Sequence, residues 1–133
     1  MKKDGLAGNF WPSEQQELIL RAVAPNDAVA RAGWEKLARV MDLDRLEEGS
    51  FALMPQLYRR LVGLGIDAPE LPRLKGIYRR SWYGNQMLLE RAATLLRALA
   101  EHGIEPLVVG DAALAVRTYA DTGSREIAQL EIV

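Results

Sequence analysis

The sequence predicts an α+β fold that is mostly α. A helical region over residues 1–84 precedes the strand–helix–strand start of a small mixed sheet within residues 85–133. Three observations predict it. Apolar residues recur at helical spacing as far as His102. Beyond Gly103 that period is lost, and the β-branched, apolar run "IEPLVV" reads as a short buried strand ending at Gly110. The closing "REIAQLEIV" alternates, with Ala128, Leu130 and Ile132 facing one way and Ile127, Gln129, Glu131 and Val133 the other. At 133 residues the chain is a single domain by length.

Each element has its own signal. Residues 1–11 form a flexible lead-in that Phe10 and Trp11 pin to the body. Ser13, with Gln16 three residues on, is a capping-box pattern that opens a helix to about Ala24. Asn26 or Asp27 starts the next, whose Ala30, Trp34, Leu37 and Met41 make one apolar stripe. "DLDRLEEGS" is a link ending at Gly49. A third helix covers Phe51–Leu64, with Pro55 in its first turn and Met54, Leu57, Tyr58 and Leu61 on its buried face. Gly65 ends it. A fourth helical stretch, Arg73–Trp82, is kinked or broken at Gly84 before a strong helix, Asn85–His102, stopped by Gly103. There Leu88, Leu89, Ala92, Leu95, Leu96 and Leu99 lie on one side, and His102 serves the helix end. After the strand, Asp111 caps a short helix to about Ala120, and "ADTGS" makes the turn into the last strand.

Composition narrows the classes of function. Hydrophobic residues are 49%, charged residues 26%, and the formal net charge is −1, which is ordinary for a globular protein. That balance gives no general pull toward nucleic acid or acidic membranes, so nucleic acid is not an expected partner. No apolar run approaches the ~20 residues that span a bilayer. Asp4, Gly5, Gly8 and Asn9 interrupt any signal-type apolar stretch, so the expected location is the cytoplasm. Without Cys there are no disulfides, thiolate metal sites or cysteine nucleophiles. "RLKGIYRRSWYGNQ" interleaves Arg73, Lys75, Arg79 and Arg80 with Tyr78, Trp82 and Tyr83. It is expected to be a solvated helix face with its aromatics turned inward.

The final segment carries a resemblance. Asn85, Gly103, Ile104, Ala112, Ala113, Leu114, Tyr119, Gly123 and Arg125 fall in the order and spacing of a known pattern. In this respect the chain resembles the uncharacterised bacterial nucleotidyltransferase family, within the polymerase-β-like nucleotidyltransferase superfamily. "MPQLYRRLVGLGI" is similar to that family's upstream helical region. The resemblance implies a mixed sheet whose second strand presents an Asp-x-Asp pair. Residues at i and i+2 on a strand share a face, and carboxylates so placed hold the divalent metal that neutralises a triphosphate.

The departures fall on that chemistry. Gly110-Asp111 stands where the family has Lys-Gly, and Gln129-Leu130-Glu131 where it has Asp-x-Asp. A Gln carbonyl is a neutral, weak ligand for Mg²⁺, which leaves Glu131 as the one charged metal ligand of the pair. Gly110, Asp111 and Arg125 are the candidate nucleotide-binding positions. Gly110 lets a phosphate approach the following helix N-terminus, and Arg125 either orients a phosphate or ties down the start of the strand. The expectation is a catalytically impaired, nucleotidyltransferase-like binding or accessory subunit that partners a protein, or a second copy, through an exposed sheet edge. The alternatives are an active Mg²⁺-dependent enzyme, or the N-terminal part of one, moving NMP from an NTP, and a helical protein-interaction module.

Overall fold

The structure is a computed structural model that describes residues 11–133. The lead-in up to Phe10 lies outside the described residues. Trp11 is described and is 83% exposed; the expectation for Phe10 lies outside the described residues. The chain divides into two compact units between Ser50 and Phe51.

In the first unit, α1 (Glu14–Ala22) opens with the full capping box. Ser13 accepts from the Gln16 backbone N–H at 3.1 Å, and the Gln16 side chain accepts from Ser13 N–H at 3.0 Å. Asn26 caps α2 (Asp27–Leu37) through a 3.0 Å bond from Val29 N–H. Ile19 and Ala22 of α1 are buried, as are Ala30, Trp34 and Leu37 of α2. Met41 lies beyond the end of α2 and is half-buried. The helices close at Gly33, where an added Cβ would stand 2.7 Å from the Ala22 backbone nitrogen. The following link contains a 3₁₀ turn, Leu43–Arg45, and is tied back to α1. Gln16 Nε2 donates to the Glu48 carbonyl at 3.1 Å, and Glu47 N–H donates to Gln15 Oε1 at 3.2 Å.

The second unit begins with a 3₁₀ turn and α3 (Met54–Gly63), whose Pro55 sits in the first turn where no N–H is needed. Met54, Leu57 and Leu61 are fully buried and Tyr58 is half-buried. Next comes α4 (Leu71–Glu101), a single helix of 31 residues. The break expected at Gly84 does not occur. A helical Gly costs only about 1 kcal/mol relative to Ala, which good helix formers on both sides offset. Both α3 and α4 end in a Schellman motif. Gly65 (φ 67) and Gly103 (φ 74) take the left-handed turn, while Ile66 and Ile104 N–H reach back to the Leu61 and Leu99 carbonyls at 3.0 Å. His102 is the C-cap of α4, its Nδ1 2.8 Å from the Ala98 carbonyl.

On α4 the buried positions are Leu74, Ser81, Asn85 and Ala92. Leu88, Leu89, Leu96 and Leu99 are half-buried, and Leu95 is exposed. Trp82 and Tyr83, expected to turn inward, are 43% and 64% exposed. Consecutive residues lie about 100° apart around a helix, and Asn85 and Ser81 hold the inward direction.

Beyond α4, β1 (Val108–Val109), α5 (Gly110–Arg117) and β2 (Glu131–Ile132) follow in order. The strands pair antiparallel, Val108 with Ile132 and Val109 with Glu131. Reciprocal 2.9 Å bonds between Leu107 and Val133 extend the ladder. The fold is therefore α+β and mostly α, with a sheet of two antiparallel strands among the described residues. The last strand is shorter than its alternation predicts. Ile127 is buried and Leu130 half-buried while Ala128 is exposed, so the inward residues are three apart rather than two. Ile127 joins Ala112 and Ala115 in a small core closed by Leu88, Leu89, Val108 and Leu130. No described helix is long and apolar enough to cross a membrane.

Candidate functional site

The start of α5 and the segment 119–131 bring the sequence-predicted site residues together in a group of three and an adjoining pair. Gly110 has φ 69, a left-handed conformation that favours glycine, and it opens α5. The Glu131 carboxylate lies directly over it, its carbon 2.9 Å from where a Gly110 Cβ would be. Gln129 Nε2 donates to Glu131 Oε1 at 3.2 Å, so these two side chains are neighbours although Gln129 precedes the strand. An anionic group at the first turn of a helix is favourably placed in the field of the unpaired N–H groups.

The adjoining pair is Asp111 and Arg125. Asp111 does not cap α5. The N-cap is Val109, which makes no side-chain cap bond, and Asp111 lies inside the first turn. Its Oδ1 instead accepts from Arg125 Nη2 at 2.6 Å and Nε at 3.2 Å. This hydrogen bond raises the Arg125 guanidinium above its ordinary value, with a smaller contribution from Tyr119. Arg125 therefore ties the segment before β2 to α5. Tyr119, Arg125 and Asp111 line a cavity of about 260 Å³ with Gln56, Ser124 and Glu126, and Tyr119 is half-buried beside it rather than in the core.

The segment is held by a network with no simple periodic signature. Asn85 is 1% exposed, and its amide is fully used. Nδ2 donates to the carbonyls of Thr122 and of Arg125, the latter at 2.6 Å, while Oδ1 accepts from Ile127 N–H at 2.8 Å. Gln86 adds a 2.7 Å bond to the Thr122 hydroxyl. Asp121 is the other centre. Its Oδ1 accepts from the Tyr78 hydroxyl at 2.9 Å and from Gly123 N–H at 2.7 Å, and its Oδ2 accepts from Ser124 Oγ at 3.1 Å and Arg59 Nε at 2.8 Å. Gly123 is required by close approach, because a Cβ there would meet the Tyr78 ring at 2.7 Å. From the sequence Tyr78 was expected only to turn inward, and it is half-buried, while Asp121 was expected only to sit in a turn; Arg59 and Gln86 were given no role. The one local signal was an Asp two residues before a Gly, the pattern of a side-chain-closed turn.

Burial, then the hydrogen bond to Asp121, pushes the Tyr78 phenol above its ordinary value. A raised acid in the folded state stabilises fully below the unfolded value of about 10 and loses that contribution as pH climbs through the folded value. Denaturation followed from neutral to alkaline pH should therefore show a loss of stability above pH ~10 that Tyr78→Phe diminishes. An unchanged profile in Tyr78→Phe would contradict this linkage.

No protein-family model, no curated protein and no solved structure matches the chain.

Proposed function

We propose that residues 85–133 are a nucleotidyltransferase-like core, catalytically impaired in the isolated chain, which serves as a binding or accessory subunit. The observation that supports this reading is the seat of Glu131. The one carboxylate at the metal-bearing spacing rests on Gly110 at the start of α5, steadied by Gln129. In nucleotidyl transfer that helix end faces the triphosphate, and paired carboxylates on the strand hold the metal. Here the Glu131 carboxylate lies against Gly110 at the start of α5, and the Gln129/Glu131 pair carries a single charge. Asp111, next to Gly110 in the chain, is engaged by Arg125. These donors do not suit Mg²⁺, which prefers several oxygen ligands in octahedral array. Among the described residues no three His, Asp or Glu side chains gather as a metal site.

The accessory role rests on the sheet. A two-stranded sheet is marginal by itself, and each strand has an outer edge with no further strand on it among the described residues. Leu107 and Val133 are 64% and 83% exposed beside those edges. A strand from a partner protein, or from a second copy, would complete it.

Radiolabelled NTP transfer with Mg²⁺ or Mn²⁺, together with calorimetric Mg·NTP titration, tests the reading. No NMP transfer is expected, because losing such electrostatic stabilisation costs on the order of a thousandfold or more in rate. Gln129→Asp and Glu131→Asp together should raise Mg·NTP affinity more than either alone, since neighbouring ligands act as a unit. Turnover by the unmodified chain that survives Glu131→Ala would overturn both the impairment and the choice of site.

A further inference from the structure

We infer that the outward face of α4 from Lys75 to Met87 binds single-stranded nucleic acid. This rests on a surface separate from the Gly110–Glu131 site, so either reading can fail alone. Lys75, Arg79 and Tyr83 form one i, i+4 row along the helix, spanning about 12 Å at ~1.5 Å per residue. Arg80 lies on the same exposed side, and Trp82 flanks the row. Lys75, Arg79 and Arg80 are exposed and make no ion pair with the described residues. No acidic residue occurs on α4 before Glu90, so nothing on this stretch of helix cancels their charge.

Of the acids on neighbouring elements, Asp121 is bound by Arg59 and Tyr78. Glu126 lines a small cavity together with Arg80 but makes no ion pair with it, so Arg80 has a carboxylate nearby.

The aromatics decide the class of polyanion. Tyr83 is 64% and Trp82 43% exposed, and the base of Trp82 is fixed against the turn, 2.9 Å from a Cβ built on Gly123. A ring anchored at its root and partly exposed can stack on an unpaired base with little further ordering. Cations at one-turn spacing beside it can track the phosphates. A membrane-lying helix needs a broad exposed apolar face, whereas this one alternates Lys75, Gly76, Arg79 and Arg80 with its rings and turns Leu74 into the core. The net charge of −1 removes long-range steering, so recognition is by the local patch.

The test is fluorescence anisotropy of a short labelled oligodeoxythymidine and of its duplex, at several salt concentrations. Phosphatidylserine vesicles and polyglutamate serve as the other anionic partners. The full chain should bind the single strand in preference to the duplex. With three cations engaged, log K should fall against log salt with a slope of about −2. Tyr83→Ala should weaken binding about tenfold while Tyr83→Phe retains it, the pattern expected of stacking. Arg79→Gln should reduce the salt slope by roughly one half to one. Both positions are exposed, and far-UV circular dichroism of each variant reports whether the helix is kept. Failure to bind the single strand at low salt, affinity unmoved by Tyr83→Ala, or preference for vesicles or polyglutamate would each overturn the inference.

Discussion

Asn85→Ala should lower the stability of residues 51–133 by about 3–5 kcal/mol, since it breaks a buried hydrogen-bond network. The side chain is 1% exposed and satisfies two carbonyls and one N–H of the segment 122–127. Truncation leaves those backbone groups without their partner, each costing about 1–3 kcal/mol where water cannot reach, and opens a small void besides. Gln86→Ala, which gives up one half-buried bond to a hydroxyl, should cost no more than about 1 kcal/mol. Urea denaturation followed by circular dichroism separates the two. A loss under ~1 kcal/mol for Asn85→Ala would mean that the amide does not hold the segment.

Gly33→Ala is expected to be nearly as harmful, about 2–3 kcal/mol, although alanine is the better helix former by about 1 kcal/mol. Its Cβ would meet the Ala22 nitrogen at 2.7 Å, Arg21 Cβ at 2.8 Å and the Arg21 carbonyl carbon at 2.9 Å. Two of those atoms are backbone, which cannot swing aside as a side-chain tip does. The helices α1 and α2 must part, and Ile19, Ala30, Trp34 and Leu37 lose packing together. Gly84→Ala is the matched control. It lies within α4 with nothing within 4 Å of the new Cβ, so it should stabilise by about 0.5–1 kcal/mol. Denaturant midpoints for both variants, with Trp34 fluorescence for the first unit, read the contrast. Equal effects of the two substitutions would refute the close-approach argument.

What was legible in the sequence is what local chemistry determines. The Ser13–Gln16 box, the Asn26 cap and the glycines that end α3 and α4 all depend on residues a few positions apart, and all are found. Gly84 misled because propensity marks it as weak, whereas the helix is set by its whole length. The terminal alternation misled because Ile127 is drawn inward by a bond from its N–H to an amide 42 residues earlier. Asp111 follows the same logic. Its type and place suit an N-cap, but Arg125, 14 residues away, takes the carboxylate. Around the candidate site the chain brings Glu131 onto Gly110, Gln129 to Glu131 and Arg125 to Asp111. That pairing was not legible, because it arises from chain crossings that no periodicity records.

The amide of Asn85 also bears on the order in which the molecule assembles. It reaches residues 37 to 42 positions further along, so its bonds close a loop of that size, whereas α4 is built wholly from contacts one turn apart. Helical turns form in well under a microsecond, but gathering the ends of such a loop costs roughly 3 kcal/mol of chain entropy before any bond is made. The helix therefore precedes its clasp. A chain whose clasp is still open would leave Val108–Val109 and Glu131–Ile132 without their partner strand and open to other chains. The same long loop that delays the clasp would therefore prolong the exposure of those edges.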